Sequence, residues 1–465
     1  MSLTAIAALA LQVASVVLLR IGVGRGWLAR PFTFFVFAAC VYHGISEILI
    51  SHTPARELSA SRWAVGQQYI DDAMLAISAA LLASVCGYLL FARRTVPAPP
   101  SAGVTRQLVD WRITGVVSLP LIVVTARGDG YNPGRSVSFA TDSLATNFAE
   151  GFLILLVVLT AFGFVARYGA RWFAPALIVQ SAVLATAGQR LELFIGATML
   201  TVLLRRVGLR PSRRAIVVTL GVAVLAALGI TSVRAADGRG FFYEDSGLVA
   251  RAEVIAAGAL SPPDVPALVS EAADRIDGNT FAGQADQSLA TGSSPLGASE
   301  VVGSLVVVVP SALYPDKLSD PRSLGLKYWE VTTLNLVPID YVPGSIGLYL
   351  GAVGPLRLPI LMFFVGILLA LLENFVLRTV TVMRFLLLAA LLQGVLFYEK
   401  DLLTIAITLR DGALLILGLY LLRWVGKVGI RGYRGSHASY NAQRVVMEAR
   451  RSSRLPSMTS RWSGL

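Results

Sequence analysis

The stretch TAGQRLELFIG, Thr186–Gly196, sets an arginine and a glutamate, Arg190 and Glu192, between two long apolar runs. Hydrocarbon offers the backbone no hydrogen-bond partners, so an apolar run that crosses it must be helical. Two such runs joined by so short a polar stretch predict a helical hairpin with its charge at the tip. Working outward, apolar runs of about 18–23 residues recur along the chain, the length that spans a bilayer. The short alternating segments of a membrane barrel are absent from the sequence.

Composition agrees. Of 465 residues, 55% are hydrophobic and only 15% charged, with a mean hydropathy of +0.67. The expected fold is all-α: a polytopic transmembrane bundle of about 11 spans with a long, partly helical extracytoplasmic loop. The spans centre on Ala8, Val36, Ala80, Leu119, Val157, Val179, Met199, Val222, Phe364, Leu388 and Leu417. The fourth, ITGVVSLPLIVVTA, is short and carries Pro120, which predicts a kink. The opening, MSLTAIAALALQVASVVLLR, has no basic residue before its apolar run, which argues against a cleaved leader.

The formal net charge is +12, nearly all of it arginine. Its distribution reads as membrane topology rather than nucleic-acid binding. Arg25 and Arg30, Arg93, Arg94 and Arg106, Arg167 and Arg171, Arg205 to Arg214, and Arg378 and Arg384 fall in alternate loops. All lie on one side if the chain starts outside and ends in the cytoplasm, as the positive-inside rule requires. The expected organisation is then an N-terminal bundle over 1–232, an extracytoplasmic segment over 233–342, C-terminal spans over 343–426 and a basic cytoplasmic tail over 427–465.

The outer side holds most of the chemistry. In PDVPALVSEAADRI, Pro263–Ile276, the apolar spacing predicts a helix with a Glu271–Arg275 pair one turn apart. VVGSLVVVVPSALYP is too short to span and contains Pro310, so it is expected to dip toward the membrane or pack beneath the outer segment. P-loop, dinucleotide, HExxH and GxSxG motifs are absent from the sequence, so no cofactor or metal is expected. Cys40 and Cys86 both lie in apolar runs and read as packing residues. Of the three histidines, His43, His52 and His437, none falls within 233–342, and a histidine-centred site is set aside for that segment.

What remains on that side is arginine and lysine beside carboxylates: Arg190 with Glu192, Arg275 with Asp274, Lys317 with Asp316, and Arg410 with Asp411. Guanidinium forks grip phosphate oxygens two at a time, and each charge-assisted bond contributes roughly 1.5–3 kcal/mol. Several at one boundary would suit a lipid diphosphate. Each also has a plainer reading. Arg190 and Glu192 would equally anchor a turn, Arg275 would serve Glu271, and Arg410–Asp411 would mark the start of the last span. His43 and Glu47 stand one turn apart near the outer end of the second span, suited either to function or to a mutual hydrogen bond. Asp71 and Asp72 open the third span, where a helix N-terminus favours acids.

The order of these features resembles the O-antigen polymerase family and its oligosaccharide repeat-unit polymerase relatives. GQRLELFIG resembles that family's Gly-x-Arg turn between mid-chain spans. VVVVPSALYPDK resembles its apolar run followed by Pro-x-Lys. VPGSIGLYLGAVGP, with Gly344, Gly347, Gly351 and Gly354, resembles its glycine-spaced start of the span after the loop. LRDGALL resembles the start of its final span, although the order here is Arg-Asp-Gly. The match covers the chain from about Ala185 onward and is carried by the order of the motifs together, not by any one of them. The resemblance implies a glycosyltransferase of the bacterial cytoplasmic membrane. On the outer face, a sugar hydroxyl of one polyprenyl-diphosphate-linked oligosaccharide would attack the anomeric carbon of another. Arg190, Arg275 and Arg410 would stabilise the leaving diphosphate with Lys317. Asp274, Asp277, Asp316 or Glu192 would take the proton, and Glu192, Asp411, Tyr314 and Tyr349 would contact substrate. Membrane lipids, a chain-length regulator and a flippase are the implied partners, with no nucleic acid. A ligase of the same donor is the nearest rival, a lipid-phosphosugar transferase using Asp71 and Asp72 a second, and a lipid-linked glycan flippase a third.

Overall fold

The computed structural model describes residues 1–52, 65–93, 144–186, 190–237, 253–258, 277–292, 303, 305–309, 313–314, 344–378, 381–398, 402–418 and 421. The chain divides into two compact units, Met1–Gly412 and Ala413–Leu465. Regular structure among the described residues is helical. Among the described residues, four helices are long and apolar enough to cross a membrane: Leu3–Val23, Pro31–Ser51, Gln67–Phe91 and Leu358–Leu377. Ile154–Tyr168, Ala170–Leu184 and Met383–Leu396 are shorter apolar helices. The expected centres fall in described helices, except Leu119, which lies outside the described residues with the predicted kink at Pro120.

Local signals explain where the helices begin. The Ser2 hydroxyl accepts from the Ala5 N–H at 3.0 Å and caps α1, Leu3–Val23. Pro31 opens α2, Pro31–Cys40, at a position where its missing N–H is harmless. A π-turn, Val41–Ile45, joins α2 to α3, Ser46–His52. α4 spans Gln67–Phe91. Then come α5, Leu144–Tyr168, α6, Phe173–Thr186, α7, Arg190–Arg206, and α8, Arg213–Asp237. Within 233–342 lies α9, Gly278–Ala290, followed by a 3-10 turn, Leu305–Val308. α10, Gly344–Val353, α11, Leu358–Leu377, and α12, Val382–Leu396, complete the series. A further helix runs over 402–418.

The glycine-spaced stretch is therefore a short helix of its own rather than the start of the following span. Gly354 has φ of 80°, a conformation that only glycine adopts freely, and its N–H reaches the Leu350 carbonyl at 2.8 Å. That turn separates α10 from α11.

α4 is the central helix of the first unit, with α11, α1 and α9 packed along it. A Cβ at Gly87 would land on the Phe363 carbonyl, and one at Gly366 on the Ser84 carbonyl. Small residues thus let the two backbones touch, as they do where apolar solvent gives helices no hydrophobic reason to associate. The contacts advance together, from Ser84 with Gly366 to the Phe91 carbonyl with the Asn374 amide at 2.6 Å, so α4 and α11 run parallel.

Two ends of the first unit can be told apart by chemistry. At one end Arg30 donates to Glu373 at 2.9 Å and to the Tyr88 hydroxyl at 3.1 Å, and also to the Arg93 carbonyl. Tyr88 donates to Glu373 at 2.6 Å, and the Phe32 N–H does so at 3.1 Å. Arg206 donates to the Leu377 carbonyl at this same end, at 2.9 Å. The other end carries the junction between the segment 233–342 and the helices around α4.

Candidate functional site

The junction is built around α9. Asp277 caps it, accepting from the Thr280 N–H at 3.0 Å and from the Thr280 hydroxyl at 2.5 Å. The cap fixes the first turn and points the neighbouring Asn279 into the bundle, where it is fully buried. Close approach is possible because the contacting face is small. A Cβ at Gly278 would sit 2.8 Å from His43 Cε1, and one at Gly283 would sit 3.0 Å from Ile70 Cα.

His43 meets Asn279 from the π-turn. Such turns are rare, hold an extra residue in the helix, and occur often at functional positions. The Asn279 amide nitrogen donates to the His43 carbonyl at 2.9 Å and to Glu47 Oε2 at 3.3 Å. Its oxygen therefore faces His43 Nδ1, at 2.9 Å, and requires the proton on Nδ1. Nε2 is then an acceptor, and the Tyr398 hydroxyl donates to it across 3.1 Å. The Tyr398 oxygen in turn accepts from the Ile346 N–H of α10. One hydrogen-bonded chain thus joins α10, Tyr398 two residues beyond α12, the π-turn and the segment 233–342. His43 and Asn279 are 0% exposed, Tyr398 1% and Glu47 5%. Polar groups so buried are expensive unless satisfied, and these are paired.

Beside this chain lies an acidic pair. Burial, and then the nearby charge of Asp72, hold the Asp286 carboxyl above its ordinary value. Asp71 accepts from the Gln67 amide at 2.9 Å. Because α4 begins at Gln67, Asp71 and Asp72 stand in its second turn rather than its first, and the helix-terminus explanation for them does not hold.

A further polar contact ties the segment 233–342 to the helix over 402–418. Arg410 donates through Nε to Asp411 at 2.8 Å, pairs with it through NH2 at 2.6 Å, and reaches the Val308 carbonyl through NH1 at 3.2 Å. The sequence expectation put Arg410 and Asp411 at the start of the last span. The described part of the helix already runs from 402, so the pair stands well inside it. Gly394 packs against Thr408 and Ile405, and Gly412 against Ala390, which sets Arg410 level with the middle of α12. The 3-10 turn Leu305–Val308 therefore packs level with the body of α12.

The remaining sequence candidates divide as follows. Glu192 is buried in the first turn of α7 and Tyr349 is buried in α10, while Tyr314 is half-buried. Arg190 begins α7, but its side chain lies outside the described residues, as do Asp274, Arg275, Asp316 and Lys317. Glu192, Tyr349 and Arg410 stand on three separate helices, and of the four proposed phosphate-binding cations Arg410 alone has a described side chain, already engaged by Asp411. The segment 233–342 does have a histidine partner, contrary to the reading that set histidine aside there. His43 comes to it from 236 residues away. Asn279 and Tyr398 were missed. The Asp277-x-x-Thr280 cap was a local signal for the first; LFYEKD holds none for the second.

The chain matches no protein-family model, no curated protein and no solved structure.

Proposed function

We propose that this chain polymerises polyprenyl-diphosphate-linked oligosaccharide repeat units on the outer face of the bacterial cytoplasmic membrane. In this reading it has about 11 spans, an outer N-terminus and a cytoplasmic C-terminus. The observation that carries the reading is the seating of the outer segment in the bundle at two polar points, Asn279 on His43 and Val308 on Arg410. A carrier that only moves lipid-linked glycan across the bilayer needs no such fixed outer element. An enzyme does, because it must hold two large substrates in one geometry while water is kept away.

Arg410 would stabilise charge developing on the departing diphosphate, with Asp411 holding the guanidinium in place. Arg190, Arg275 and Lys317 would complete the cationic set. The arginine cluster at the Arg30 end supports the proposed cytoplasmic side.

One observation favours a second reading. A histidine against the outer segment is a feature expected of ligases that hand a finished glycan to a different acceptor, and His43 supplies one. Purified protein given a single polyprenyl-diphosphate-linked oligosaccharide separates the two. A ladder of products indicates a polymerase. No product until a second acceptor is added indicates a ligase. Movement of donor across vesicles without either product would contradict both.

A further inference from the structure

We propose that Glu47 is the proton acceptor for the attacking sugar hydroxyl, and that Asn279, His43 and Tyr398 are the positioning residues that hold it. The inference rests on the polymerase reading and assigns a base that the sequence motifs leave open. Asp277 is engaged as the cap of α9, with both carboxylate oxygens on Thr280. Glu47 differs in kind. It is buried, near the outer end of the second helix, and held by the one amide that also fixes the histidine. An ionisable group kept inside an apolar bundle is expensive, and it is usually retained for a task.

The geometry gives each neighbour a role. The Asn279 oxygen fixes the His43 tautomer with its proton on Nδ1, and the Tyr398 hydroxyl donates to the bare Nε2. With its oxygen so engaged, Asn279 has only its nitrogen to offer Glu47, and the carboxylate is set in one orientation. The chain works only while α9 is seated, so the outer segment completes the site it covers. In the reaction, the acceptor hydroxyl gives its proton to the Glu47 carboxylate. Its oxygen lone pair forms the new C–O bond at the donor's anomeric carbon. The bond from that carbon to the diphosphate oxygen breaks, and its electron pair leaves on polyprenyl diphosphate. No further reactant is needed.

The other groups that titrate on the packed elements are His43, Tyr398, Asp277, Asp286, Asp71 and Asp72, so the assignment must be made by substitution. The experiment uses full-length purified protein in nanodiscs with a polyprenyl-diphosphate-linked oligosaccharide as probe. Donor binding, turnover against pH and melting temperature are measured for wild type, Glu47→Gln and Asn279→Asp. Glu47→Gln should bind donor as wild type does, lose about 100-fold or more in turnover, and lose the acid limb of the pH–rate profile. Asn279→Asp places a second carboxylate beside Glu47 and should move that limb to higher pH. This second variant tests the idea even where Glu47→Gln fails to fold. Wild-type turnover in Glu47→Gln, or an unmoved acid limb in a folded Asn279→Asp, overturns the role of Glu47 and leaves the polymerase reading standing. A wild-type protein that neither binds the donor nor extends it overturns that reading, and this assignment with it.

Discussion

Tyr398 donates its hydroxyl to His43 Nε2 across 3.1 Å, joining residues 355 positions apart. The Asn279 oxygen requires the histidine proton on Nδ1, this bond gives the bare Nε2 its donor, and Asn279 stands between His43 and Glu47. Asn279→Ala should therefore leave His43 Nδ1–H short of a partner and take one donor away from Glu47. Each buried group so orphaned costs about 1–3 kcal/mol. Thermal unfolding in detergent should show a clear loss of stability, whereas an unchanged midpoint would mean that α9 is not held through this residue.

The Arg30–Glu373 pair, with side chains 2% and 1% exposed, makes the opposite kind of prediction. Removing one partner strands the other, so Glu373→Leu alone should destabilise by about 3–5 kcal/mol. The double variant Arg30→Met, Glu373→Leu should recover most of that loss, because two apolar side chains leave no charge unpaired. A double-mutant cycle on unfolding midpoints checks this. Additive losses would show that the pair is not coupled.

At the α4–α11 contact the prediction is steric. Gly366→Ala would drive a methyl group into the Ser84 carbonyl, and backbone cannot step aside as a side chain can. Overpacking of this sort costs about 1–3 kcal/mol. Gly221, where a Cβ meets nothing within 4 Å, is the control and should tolerate alanine. Equal unfolding midpoints for the two variants would count against the packing described for α4.

Asp286 gives a pH dependence of defined sign. Its carboxyl is held above the ordinary value by burial and then by the charge of Asp72, so the folded protein takes up a proton that the unfolded chain does not. The stabilising contribution is complete below the ordinary carboxylate range and is lost as pH rises through the raised value. Asp286→Asn should flatten the dependence of melting temperature on pH across that window and raise stability at neutral pH. A variant with the same slope as wild type would remove Asp286 as the group responsible.

Much of the helical framework was legible because an apolar run of bilayer length has few alternatives to a helix. Ser2, Pro31 and Asp277 are local signals that mark helix starts within a residue or so. The site was harder. Arg410 and Asp411 look like a helix boundary in sequence because charge usually collects there, yet the helix is already formed at 402 and the pair sits inside it. His43 and Glu47 were visible as neighbours one turn apart, but what joins them is Asn279, more than 230 residues away. No local pattern encodes such a contact; it follows from the small face of α9 fitting against the π-turn and α4.

The most direct test is a polymerisation assay of purified protein with a polyprenyl-diphosphate-linked oligosaccharide, products resolved by size, comparing wild type with Arg410→Ala. Wild type should yield a ladder and release polyprenyl diphosphate, and Arg410→Ala should remain folded while its ladder collapses. A wild-type protein that leaves the oligosaccharide unextended, or an Arg410→Ala variant with an undiminished ladder, would contradict the proposal that a guanidinium inside the bundle stabilises a departing lipid diphosphate.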